Sequence, residues 1–113
     1  MHTPFFSLLL LSAMGLLACN PPPSSGASCP TGSTLTYANF GRAFFASYCD
    51  ACHANGQQPV LNDLAAIRRN AHEIDSEAAA GPTRTNTAMP PASPTPTLTE
   101  RQRLGEWLAC GAP

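Results

Sequence analysis

A chain that carries Cys49-Asp50-Ala51-Cys52-His53 must build its fold around that pentapeptide. The pattern is C-x-x-C-H. Two thiols three positions apart lie on one side of a helical turn. From there both can reach the two vinyl groups of a single porphyrin. The adjacent imidazole of His53 then falls under the iron as its proximal ligand. C-x-x-C-H is, for this reason, the attachment sequence of a c-type haem. Two other chemistries use part of the pattern. A thioredoxin-like redox pair needs a preceding strand and a βαβ setting, whereas the residues before Cys49 have helical periodicity. A zinc site made from Cys49, Cys52, His53 and His72 follows no zinc-finger spacing.

The N-terminus reads as an export signal. Pro4 to Leu17 is an almost wholly apolar run, too short and too poorly flanked for a transmembrane helix. It has the character of an h-region, although Met1-His2-Thr3 contributes no positive charge. The run ends in Leu16-Leu17-Ala18-Cys19, which resembles the bacterial lipoprotein box. Residues 1–18 are then a signal peptide, and Cys19 becomes a lipidated mature N-terminus that anchors the protein to a membrane. An ordinary signal peptide with an incidental cysteine is the alternative. Export and haem attachment agree, because bacteria join haem to C-x-x-C-H outside the cytoplasm. The expected location is the periplasmic or cell-envelope face, where disulfides persist.

Residues 19–35 are rich in proline, serine and glycine and predict a disordered tether. Residues 36–113 form the remaining domain. That is a small core, and a large, mostly apolar haem would supply the missing interior. The net charge is −1, and all six cations are arginines. No basic stripe suggests nucleic acid. No small-molecule substrate site is recognisable.

Four helical stretches are predicted, and no strand. In Tyr37 to Tyr48 the aromatics Phe40, Phe44, Phe45 and Tyr48 recur at helical intervals and lead into the motif. Asp63 to Arg69 follows, with Asn62 as N-cap. A third runs from Ala71 to Ala80 and is closed by Gly81-Pro82. The fourth is Leu98 to Ala109. Thr97 and Glu100 have the capping-box spacing, Leu104, Trp107 and Leu108 form the apolar stripe, and Gly111 ends the helix. The segment from Gly81 to Pro96 is an irregular, proline-stiffened strap.

After signal removal, Met89 and His72 are the standard candidates for a second axial ligand. Pro90 holds Met89 in an extended backbone, whereas His72 lies among charged residues and reads as a surface histidine. Met89 is favoured; His72 and an open or water-bound site remain as alternatives. Cys19 goes to lipid, and Cys49 and Cys52 go to haem. Cys29 and Cys110 are left as an even pair for a disulfide, or as two free thiols.

Together these residues resemble a class I c-type cytochrome. In that family a helix ends in C-x-x-C-H, a C-terminal helix crosses it, and a late loop supplies methionine. Gly41 and Phe45 match the family's first-helix pair, and Leu104 and Trp107 match its last-helix pair. The resemblance implies an all-α bundle of three to four helices around one covalent haem c. It implies that the Pro59 carbonyl accepts the His53 Nδ1 proton and that Leu61 packs on the ring. It implies His53 and Met89 as iron ligands, with Arg68, Arg69 or Arg84 as partners for the propionates. The segment from His53 to Met89 is shorter than in most members. The implied activity is single-electron transfer between a redox donor and acceptor, and not an enzyme reaction. A haem-based ligand-binding or sensing domain, and a relay subunit of a larger membrane oxidoreductase, are the other readings.

Overall fold

Thr36 starts the helical run that the aromatic spacing predicts. In the computed structural model of the protein, residues 22–113 are described. Signal residues 1–18 and Cys19 lie outside them. The Thr36 hydroxyl accepts from the Asn39 amide at 3.1 Å, and Asn39 Oδ1 accepts from the Thr36 amide at 2.7 Å. This reciprocal cap satisfies two otherwise unpaired donors.

The first helix is not uniform. It opens with a wide π-helical turn, Tyr37–Gly41, and continues as α1, Arg42–Tyr48. The wide turn puts Gly41 on the same buried face as Phe40, Phe44 and Phe45. Cys49 breaks the run at φ −123°, ψ −41°, and helical bonding resumes in α2, Asp50–His53. The two thiols and the imidazole therefore share one helical turn.

The next helix, α3, is Leu64–Arg69. Its cap is Asp63, one residue later than expected: Asp63 is the extended residue, and its carboxylate accepts from the Ala66 amide at 2.7 Å. That register buries Ala66 and Ile67. Helix α4, Ala71–Ala78, stops two residues short of the predicted Ala80. The reason is competition for backbone groups. Ala80 donates to the Arg101 carbonyl at 3.0 Å, and the Ala79 carbonyl accepts from Asn86 at 2.9 Å. Tertiary partners thus take the bonds that another helical turn would need.

Helix α5, Leu98–Ala109, has the expected capping box. Thr97 Oγ1 accepts from the Glu100 amide at 3.2 Å, and Glu100 Oε2 accepts from the Thr97 amide at 2.7 Å. At the other end Gly111 adopts φ +88°. Its amide donates to Leu108 at 3.0 Å and that of Ala112 to Trp107 at 2.9 Å, which is a Schellman closure.

Helix α5 meets the first helix through Trp107, which is 0 % exposed. A β-carbon on Gly41 would lie 2.6 Å from Trp107 Cζ2, so only glycine admits this approach. The rings of Phe40 and Phe45 meet the indole edge-on at centroid distances of 6.1 and 6.3 Å. Leu104, Leu108, Ile67, Ile74 and Leu61 complete the core. Among the described residues there is no strand beyond one isolated bridge between Ala80 and Thr85. The all-α class is what forms.

The tether reading of residues 19–35 is corrected in part. Ser25 is 0 % exposed. Its amide and hydroxyl donate to the buried Asp75 carboxylate of α4 at 2.8 and 2.6 Å. Its carbonyl accepts from Thr83 at 2.9 Å. A carboxylate inside the fold needs such donors, and nothing in a Pro/Ser/Gly composition announces which serine supplies them. Just beyond, Cys29 and Cys110 form a disulfide across 81 positions. In the loop-entropy picture a cross-link of that span contributes up to about 4–5 kcal/mol. Among the described residues no helix is long and apolar enough to cross a membrane.

Candidate functional site

Beside the C-x-x-C-H turn opens a cleft of about 230 Å³. Helices α1 and α2 bring Phe45, Tyr48, Cys49, Cys52 and His53 to its walls. The following loop brings Gln58, Pro59 and Leu61. Helix α4 brings Glu73, Ile74, Glu77 and Ala78, and the strap brings Met89, Pro90 and Pro91. All six residues assigned to cofactor binding from sequence (Cys49, Cys52, His53, Pro59, Leu61 and Met89) thus line one space.

The loop after α2 is folded back onto the motif. Gln57 donates to the Cys52 carbonyl at 2.9 Å and Leu61 to the His53 carbonyl at 2.7 Å. This places the Pro59 carbonyl 2.9 Å from His53 Nδ1. A carbonyl can only accept, so Nδ1 carries the hydrogen of this bond, and in the neutral ring the lone pair is then on Nε2. An imidazole oriented in this way is prepared to bind a metal through Nε2.

The two thiols differ. Cys49 is half-buried and Cys52 is exposed, and both are free. Burial, and then the neighbouring Asp50 charge, push the Cys49 thiol up to about 12. A thiol-exchange centre needs the opposite shift, toward thiolate. Together with the helix, rather than a strand, that precedes Cys49, this disfavours a thioredoxin-like pair. Zinc fares no better: among the described residues no three His, Cys, Asp or Glu side chains gather where they could hold a metal ion. His72 is exposed and does not line the cleft.

Met89 stands in the strap with its side chain partly exposed, at 38 %. Its backbone is tied on both sides. The amide donates to the Glu77 carbonyl at 2.9 Å, and the carbonyl accepts from Arg101 Nη1 at 2.9 Å. Arg101 escaped the reading of the sequence. Its signal was present: it lies three residues before Leu104 and seven before Leu108, in register with the apolar stripe of α5.

Tyr48 joins the cleft to α5. Its hydroxyl donates to both Glu100 carboxylate oxygens at 3.0 Å. That bond, with partial burial, holds the phenol above its ordinary pKa. The Thr97 amide, helped by Tyr48 and the Thr97 hydroxyl, keeps Glu100 below the usual carboxylate value. The cleft walls carry acidic side chains. No arginine lines them; Glu73 and Glu77 do. Arg68 is committed elsewhere, its Nε and Nη2 donating to the Ala112 carbonyl at 3.1 and 2.9 Å. Comparison of the chain with protein-family models, with curated proteins and with solved structures finds no match.

Proposed function

We propose that the chain is an exported monohaem c-type cytochrome, similar to the class I kind, that carries single electrons between redox proteins at a bacterial cell envelope. The observation that carries this reading is the convergence of Cys49, Cys52, His53, Pro59, Leu61 and Met89 on one cleft. The donor chemistry fits a covalent haem: two free thiols on one helical turn, an imidazole with Nε2 available, and a thioether in the same walls. Phe45, Leu61, Ile74 and Ala78 supply apolar surface for a flat ring. When bound, haem supplies a one-electron Fe(II)/Fe(III) couple.

The chain's own residues do the rest. Cys49 and Cys52 would hold the ring through two thioether bonds, formed without net oxidation. His53 would bind the iron through Nε2, with the Pro59 carbonyl accepting from Nδ1. Met89 would offer its sulfur as a further iron ligand, and a thioether favours the ferrous state. The aromatic and aliphatic walls would shield part of the ring from water, which would disfavour the more highly charged ferric form. Keeping His53 and Met89 bound in both states would keep reorganisation small on each transfer.

The test is an absorbance spectrum of protein made with the haem-attachment machinery, wild type beside Met89→Ala. The wild type is expected to show a ferric far-red sulfur-to-iron band. Met89→Ala should lose that band and have a lower reduction potential. Ready binding of carbon monoxide by the reduced wild type would replace electron carriage with ligand binding. Loss of the band in His72→Ala instead would refute the ligand assignment.

The membrane anchor is part of the proposal and rests on Leu16-Leu17-Ala18-Cys19. Mass spectrometry of the mature N-terminus is expected to find acyl chains on Cys19. Cleavage elsewhere with unmodified Cys19 would remove the anchor.

A further inference from the structure

Arg101 is a cation inside the core of α5, 4 % exposed. Burying a guanidinium is costly unless its donors are met. Here the Nη1 donors are met by carbonyl dipoles that converge on that single nitrogen. Nη1 donates to Ala78 O at 2.9 Å, to Asn86 O at 3.0 Å and to Met89 O at 2.9 Å. The three acceptors come from the end of α4, the middle of the strap, and the residue read as the axial ligand.

The strap needs such a partner. Its prolines prevent a helix, so its carbonyls cannot be satisfied by local repetition. Met89 is held by two backbone bonds, one to α4 through Glu77 and one to Arg101. The preceding residue, Glu100, receives the Tyr48 hydroxyl from α1. Consecutive residues of α5 therefore grip two walls of the cleft: the helix that delivers Cys49 and the strap that delivers Met89. One rigid turn sets how far apart those walls stand.

We propose that Arg101 is the positioning residue for Met89: by clamping the strap to α4 and α5 it holds the thioether where it can remain an axial ligand. The proposal rests on the haem reading for its functional consequence and on the hydrogen bonds alone for the clamp. It makes a chemical demand that a general packing role would not. Because all three carbonyls meet one nitrogen, an ammonium group, with its donors on one atom, can replace the guanidinium. An uncharged amide of similar polarity cannot.

Haem-loaded Arg101→Gln, Arg101→Lys and Met89→Ala proteins are compared with wild type by two readouts. The first is amide hydrogen exchange, which requires no haem. In Arg101→Gln the Met89 amide is expected to exchange about tenfold faster or more, the loss of one bond to a charged donor, while Leu104 within α5 is unchanged. The second is the far-red sulfur-to-iron band at equal haem content. It should be lost or strongly reduced in Arg101→Gln, as in Met89→Ala, and retained in Arg101→Lys. Wild-type exchange at Met89 together with an undiminished band in Arg101→Gln would overturn the proposal. A wild type without haem would instead remove the functional reading, and the exchange result would still judge the clamp. Should Arg101→Gln fail to fold, Arg101→Lys decides. A retained band, with Met89 exchange within a few-fold of wild type, supports the clamp. A lost band with Leu104 exchange unchanged refutes it.

Discussion

Protein carrying alanine at both Cys49 and Cys52 is expected to emerge from maturation colourless and poorly folded. The walls beside those cysteines explain why. Phe45, Leu61, Ile74 and Ala78 reach the cleft from three different parts of the chain. These side chains are already only 2–7 % exposed; on the haem reading a ring held by both thiols would cover what remains open of the cleft, and its loss forgoes about 25 cal/mol per Å² of that area. A domain of this size has little surplus stability to absorb that loss. Circular dichroism and thermal unfolding of the double variant check the expectation. A colourless product that melts cooperatively at the wild-type temperature would show that the fold is not built around the group.

The second large effect is expected at the helix crossing. Trp107→Ala should lower stability by about 3–5 kcal/mol, read by urea unfolding, which is a large share of the roughly 5–15 kcal/mol available to a domain. The indole is 0 % exposed and meets Phe40, Phe45 and Tyr37. It also lies against Gly41, which has no side chain to fill the space the indole leaves. The indole nitrogen donates to the Pro113 carbonyl at 3.2 Å, and the Tyr37 amide donates to the same oxygen at 2.6 Å. Removing the ring thus also removes one of the two bonds to that carbonyl. A loss below about 1 kcal/mol would mean that the crossing contributes little beyond ordinary surface burial.

Much of the site was legible because its signals are local. C-x-x-C-H places its three groups by the geometry of one turn. Thr97 and Glu100 cap α5 from three residues apart, and the aromatics before Cys49 recur at helical spacing. The parity of the cysteines pointed to Cys29 and Cys110. The misplaced details have local causes too. Asn62 and Asp63 are both good caps, and only the register that buries Ile67 chooses between them. Helix α4 ends at Ala78 because α5 and the strap compete for its next bonds.

Short-range chemistry was therefore written in the order of the residues: helix positions, the capping box of α5 and the C-x-x-C-H turn. Pairings between distant polar groups were decided only when surfaces met. Ser25 finds Asp75, Arg68 finds the Ala112 carbonyl, and Arg101 finds three carbonyls from separate segments. A polar side chain has no periodicity that marks it for burial. Whether it faces water or a carbonyl depends on which elements pack over it, and that is a property of the assembled fold.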